Sequence, residues 1–121
     1  MTMAEPLKPG SETKTEGIIL ERSERDFENQ AVLNPSCIEK DAIVHMFYRA
    51  VHTGNFSTIG YCQLDQNNTV IYRRPDPLLF VEHSYESHGL EDPRIVFLDG
   101  LYYLFYTAYD GLNARIAYAT S

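Results

Sequence analysis

Residues 34–62 return, in weakened form, as residues 92–119, and no other feature restricts the fold of this chain so tightly. Asn34-Pro35-Ser36-Cys37-Ile38 aligns with Asp92-Pro93-Arg94-Ile95-Val96 at an offset of 92 − 34 = 58. The same offset sets Asp41 on Asp99, Ile43 on Leu101, Met46 on Leu104, Phe47-Tyr48 on Phe105-Tyr106 and Ala50 on Ala108. One residue of adjustment brings Ile59-Gly60-Tyr61 onto Ile116-Ala117-Tyr118. A period of this length marks a stacked or radial array, in which no single copy buries its apolar face alone.

Within each copy the pattern is β. In the first, Ile43 to Ala50, Ser57 to Leu64 and Val70 to Tyr72 read as strands, parted by turns at Gly54-Asn55 and Gln66-Asn67-Asn68. In the second, Ile95 to Leu98, Leu101 to Ala108 and Ala114 to Ala119 follow the same plan, with turns at Asp99-Gly100 and Asp110-Gly111. A further short strand is expected at Gly17 to Leu20. No segment carries the 3.6-residue apolar period of an amphipathic helix. About four strands per repeat match one blade of a β-propeller, so the expected fold is all-β, about two blades built as antiparallel four-stranded meanders.

Residues 1–17, rich in Lys, Glu, Thr, Pro and Gly, are expected to form a flexible arm. The rest, 18–121, is expected to be a partial propeller, with blade one at about 31–80 and an incomplete blade two from about 91. Propellers close with four to eight blades. Either a remainder of the polypeptide completes the ring, or several copies assemble as a homo-oligomer; the first is the expectation.

Seventeen Asp plus Glu against ten Lys plus Arg give a net charge of −7, which argues against a nucleic-acid partner. No stretch reaches the roughly 18 apolar residues of a membrane span. The polar start, broken by Pro6, Pro9 and Gly10, has no secretory apolar core, so the reading is cytoplasmic, or periplasmic if a signal was removed. Cys37 and Cys62 lie in apolar runs and are expected to be buried free thiols.

The chemistry falls where the copies align. Asn34 and Asp92 are equivalent, each just before a proline, and innermost strands of neighbouring blades carry equivalent positions toward one axial pocket. Asn offers a neutral donor and acceptor to sugar hydroxyls, and Asp accepts or delivers a proton. The plain alternative is that both are turn punctuation without chemistry. Arg49 stands where the second copy has Thr107, either as a ligand contact or as a buried partner for an acid. Both readings stay open on spacing alone.

The run Gly89-Leu90-Glu91-Asp92-Pro93-Arg94-Ile95 resembles the Gly-x-Glu-Asp-Pro-Arg signature of glycoside hydrolase family 130. Asn34-Pro35-Ser36, Phe47-Tyr48-Arg49-Ala50 and Ile59-Gly60-Tyr61 follow in that family's order, so the resemblance covers about residues 27–121. It implies a five-bladed propeller and a glycoside phosphorylase acting on β-mannosides, in which inorganic phosphate attacks with inversion and mannose 1-phosphate leaves. It further implies that Asp92 is the general acid, that Asn34 and Arg49 hold the sugar, and that Ser36 joins them. Glu91 and Arg94 are expected to orient Asp92 through charge-assisted bonds, with a direct contact of Arg94 to sugar or phosphate as the lesser option. The implied partners are a β-mannoside oligosaccharide and phosphate, the latter a co-substrate; no cofactor is implied. A lone protein acid suffices for phosphorolysis, whereas inverting hydrolysis needs a second carboxylate to activate water. The isolated 121 residues are expected to be inactive.

Four other readings compete: a β-mannoside hydrolase of the same family, a non-catalytic carbohydrate-binding propeller, an arabinanase-like glycosidase, and a metal site drawn from Glu82, His83, His88, Glu91 and Asp92. The last has no common zinc spacing. His45 and His52 read as strand residues, and the tyrosines at 102, 103, 106, 109 and 118 as core and cross-strand packing.

Overall fold

The computed structural model describes residues 16–121. Seven strands make up the fold: β1 (Ala31–Lys40), β2 (Ile43–His52), β3 (Phe56–Leu64), β4 (Val70–Arg73), β5 (Gly89–Leu98), β6 (Leu101–Tyr109) and β7 (Ala114–Thr120). Strands β1 to β4 form one antiparallel meander and β5 to β7 a second. A single parallel pair, Ser57 with Gly89, links them. The two meanders are the two blades expected from the repeat, the second with three strands.

Turn chemistry explains the hairpins. Asp41 and Ala42 both take positive φ (54° and 63°), as do Asp99 and Gly100 (50° and 81°). Two left-handed residues in succession make the turn whose twist matches the flanking strands. The two first hairpins of the two copies therefore close in the same way.

Each copy also starts earlier than the aligned sequence suggested. A short 3-10 turn precedes each first strand, at Asp26–Glu28 and at Ser84–Glu86. Glu28 and Glu86, again 58 residues apart, are 0% and 1% exposed. The hydroxyl of Tyr48 donates to Glu28 at 2.7 Å, and that of Tyr106 donates to Glu86 at 3.0 Å. A buried carboxylate is tolerable only when paired and hydrogen-bonded. Glu28 gains Arg73 as its ion partner, whereas Glu86 receives the backbone amides of Glu82 (2.8 Å) and His83 (3.2 Å). Tyr48 in turn lies over Gly60, where any Cβ would collide with its ring.

Two apolar clusters follow from strand alternation. Met46, Tyr48, Ala50, Cys62 and Leu64 form one on the first sheet, with Leu20 and Phe27 against it. The second joins the sheets: Ile59 from β3 meets Leu90, Leu104, Tyr106 and Ala108 from β5 and β6, with Leu78 and Leu79 packed alongside. The opposite face of the second sheet carries Tyr103, Phe105 and Tyr118 in mutual ring contact, beside Ile116, which is 85% exposed.

Several expectations are corrected. Gly17 to Leu20 is not a strand: Ile18 is exposed, and only Leu20 turns toward a core. An apolar triplet without a neighbouring strand edge has nothing to pair with. The expected arm lies outside the described residues except for Glu16 and Gly17. Both cysteines are free, but only Cys62 is buried. Cys37 stands exposed on β1, an edge strand with no sheet neighbour beyond it among the described residues. Among the tyrosines, Tyr106 is core, while Tyr118 is mostly exposed and packs only across strands. Among the described residues, no helix is long and apolar enough to cross a membrane.

Candidate active site

Proline shapes both halves of the site. Pro35 and Pro93 each follow a residue with φ of 51°, Asn34 and Asp92 respectively. The ladder breaks at both places, between Leu33 and Ser36 and between Glu91 and Arg94. Asn and Asp tolerate the left-handed region better than other side-chain-bearing residues. A bulge of this kind re-aims a side chain out of the strand's alternation. Because the two copies share it, both side chains are turned to the same place.

They meet there. Asn34 Nδ2 donates to Asp92 Oδ1 at 2.7 Å. Asn34 is exposed and Asp92 half-buried, so the pair opens to solvent. Two further contacts between the copies flank it. Ser36 Oγ accepts from the backbone amide of Ile95 at 3.0 Å. Arg49 reaches Glu91 at 2.7 Å and donates through Nε to Ser57 Oγ, also at 2.7 Å. Arg49 thus ties β2 to β3 within its own sheet and to β5 of the next.

Local packing dictates that approach. At Gly89 φ is 134°, and a Cβ there would sit 3.0 Å from the Ser57 carbonyl oxygen and 3.1 Å from its nitrogen. Only glycine lets β5 pass this close to β3, and the close passage brings Glu91 within reach of Arg49.

The sequence-derived residues therefore divide. Asn34, Asp92, Ser36, Arg49 and Glu91 converge at one seam between the sheets. Glu91 engages Arg49, and Arg94, which is exposed, donates to the Pro93 carbonyl at 2.7 Å. The side chain that bonds Asp92 is Asn34, in place of the expected Glu91 and Arg94. Of the two readings of Arg49, the geometry has it as partner to an acid, Glu91. Sequence reasoning missed Ser57 and Gly89, since their role arises only where β3 and β5 touch.

The histidines of the rival metal reading face other groups. His83 stacks on Tyr85 at 4.9 Å, and His88 meets the edge of Tyr109 at 6.1 Å. Among the described residues, no three His, Cys, Asp or Glu side chains gather to hold an ion. A cavity of about 390 Å³ between the sheets is lined by Ile38, Phe47, Leu79, Ile95 and Leu104, with Asn34 and Asp92 outside it. Its apolar walls belong to the packing between blades, and its position four residues along β1 from Asn34 separates it from the site.

Known proteins resemble the chain in sequence and in fold. The sequence profile of a family described as beta-1,4-mannooligosaccharide phosphorylase matches residues 12–121. A 1,2-beta-oligomannan phosphorylase of Thermoanaerobacter sp. (strain X514) is 32% identical over 114 residues, covering 86% of this chain and 38% of that protein. A beta-1,2-mannobiose phosphorylase of the same organism is also 32% identical, over 73% of this chain and 33% of its own length. A solved structure reported for the GH130 family of mannoside phosphorylases, said to contain hydrolases that target beta-1,2 mannosidic linkages in Candida mannan, superposes with a TM-score of 0.77. It covers 85% of this chain and 35% of that one at 24% identity, and so speaks to the fold. A sucrose-6-phosphate hydrolase of Lactobacillus gasseri shares the fold at 19% identity, with a TM-score of 0.71 over 81% of this chain and 21% of its own. The chain spans about a third of the length of the curated relatives it matches. The profile match over residues 12–121 shows the family: the chain belongs to glycoside hydrolase family 130.

Proposed function

We propose that these residues are two blades of a β-mannoside phosphorylase, the part that carries its general acid, Asp92. The observation that carries the reading is the bond between Asn34 and Asp92, which turns equivalent positions of two copies into one solvent-open group. The two curated relatives, both phosphorylases of β-1,2-linked mannosides, support that linkage as the substrate class. Their greater length supports completion of the ring by further blades of the same polypeptide rather than by copies of this chain. The exposed apolar face of Tyr103, Phe105, Ile116 and Tyr118 suits the next blade.

In the proposed reaction the Asp92 carboxyl gives its proton to the glycosidic oxygen, which keeps the electron pair of the breaking bond to C1. An oxygen of inorganic phosphate forms the new bond to C1 from the opposite face, so the β-mannoside yields α-mannose 1-phosphate. Ser36 and Arg49 border the sugar, Asn34 is turned to Asp92, and Glu91 fixes Arg49. Incubating the complete ring with β-1,2-mannobiose, with and without phosphate, tests the assignment. Phosphate-dependent mannose 1-phosphate supports it. Free mannose released equally without phosphate assigns the site to hydrolysis instead.

A further inference from the structure

We propose that Asn34 is a positioning residue for Asp92: its amide reserves Oδ1, so that Oδ2 carries and delivers the proton. The inference rests on the reading of Asp92 as the general acid. An amide N–H donates to an acceptor lone pair, and in a neutral carboxyl group the oxygen bearing no hydrogen is the better acceptor. The 2.7 Å contact from Asn34 Nδ2 to Oδ1 therefore selects Oδ2 as the hydroxyl oxygen.

The contact is anchored on both sides. Each partner stands in the left-handed region before a proline, at a bulge where the strand ladder breaks. Ser36 holds the Ile95 amide beyond one end of the pair, and Arg49 holds Glu91 beside Asp92 itself. Asn34 thus acts from one blade upon the acid of the next. In the reaction the Oδ2–H bond breaks as the proton reaches the glycosidic oxygen, and Asn34 keeps the resulting carboxylate in place.

Holding the sugar and aiming the acid leave different kinetic traces. A disaccharide needs its leaving oxygen protonated, whereas a 2,4-dinitrophenyl β-mannoside releases a stable phenolate without a proton. The variants are Asn34→Gly, which suits the positive φ and removes the amide, and Asn34→Asp, which keeps the shape and replaces the amide with a second carboxyl that competes for the proton. Both are assayed in the complete ring with phosphate, beside Asp92→Asn as the control.

The expected result is a loss of about 10- to 100-fold in kcat on β-1,2-mannobiose, with KM moved less than about threefold and the dinitrophenyl substrate spared. Asp92→Asn shows the same selectivity, more strongly. Equal losses on both substrates, or a rise in KM alone, would overturn the proposal by making Asn34 a sugar contact or a purely structural group. If Asp92→Asn shows no dependence on the leaving group, the acid assignment itself falls, and the proposal with it.

Discussion

Asn34 and Asp92, 58 residues apart in sequence, share a φ of 51°, precede a proline in the same way and bond at 2.7 Å. Repeat equivalence usually produces like positions on separate units; here it produces a contact. The left-handed backbone at both makes a prediction about the scaffold. Asn34→Ala should destabilise by about 1–2 kcal/mol, since alanine is strained there, and Asn34→Gly by less. Urea unfolding of the two variants checks the order, and a more stable alanine variant would contradict the strained geometry.

The buried acids give a second expectation. Tyr48→Phe and Tyr106→Phe each remove a hydroxyl that satisfies a fully buried carboxylate, and should cost about 1–3 kcal/mol. Arg73→Met should cost more, about 3–5 kcal/mol, by stranding Glu28 without its ion partner. Burial, with the bond to the nearby acid second, holds both tyrosine hydroxyls well above their usual range. Their phenol absorbance should therefore stay unionised until the fold opens. Denaturant midpoints at unchanged slope measure the costs.

At Gly89 the two blades pass close together. Gly89→Ala forces a Cβ against the Ser57 backbone at a φ disfavoured for side chains, and should cost about 1–3 kcal/mol. The loss should spread: with β5 pushed from β3, the tie from Arg49 to Glu91 loosens. Hydrogen exchange localises it, faster at β5 and unchanged in the β1–β2 hairpin.

Cys62 supplies the pH dependence. Burial pushes its thiol up to about 11 from an ordinary 9.0. A group raised in the folded state favours folding below its unfolded value, so this contribution is complete below 9.0 and is lost as pH climbs through about 11. At about pH 8 an alkylating reagent should modify exposed Cys37 and spare Cys62 until denaturant is added. Mass spectrometry of the labelled peptides reads the outcome.

Much of this was legible in the residues, for identifiable reasons. The 58-residue offset and the Asp-Gly and Gly-Asn turns report local backbone demands, so strands and hairpins could be placed. The Pro35 and Pro93 equivalence marked Asn34 and Asp92 as matched positions, though a residue before proline reads as extended and the left-handed backbone there was not legible. The latch of Glu28 to Tyr48 and Glu86 to Tyr106 obeys the same offset, yet the intervening residues diverge and a lone acid reads as surface. Arg49 with Glu91, and Ser57 against Gly89, depend on how one sheet meets the next, which no pattern within a strand encodes. Ile18 and Ile19 show the converse, β-forming residues left without an edge to join.

The most direct measurement is Asp92→Asn in the complete ring, with β-1,2-mannobiose binding followed by calorimetry and phosphorolysis by mannose 1-phosphate release. The substitution keeps shape and removes the transferable proton, so affinity should stay within about threefold while turnover falls by about 10²- to 10⁴-fold. Turnover within a few-fold of the parent, or loss of binding with turnover per bound substrate intact, would show that this residue holds sugar or scaffold and that the proton comes from elsewhere.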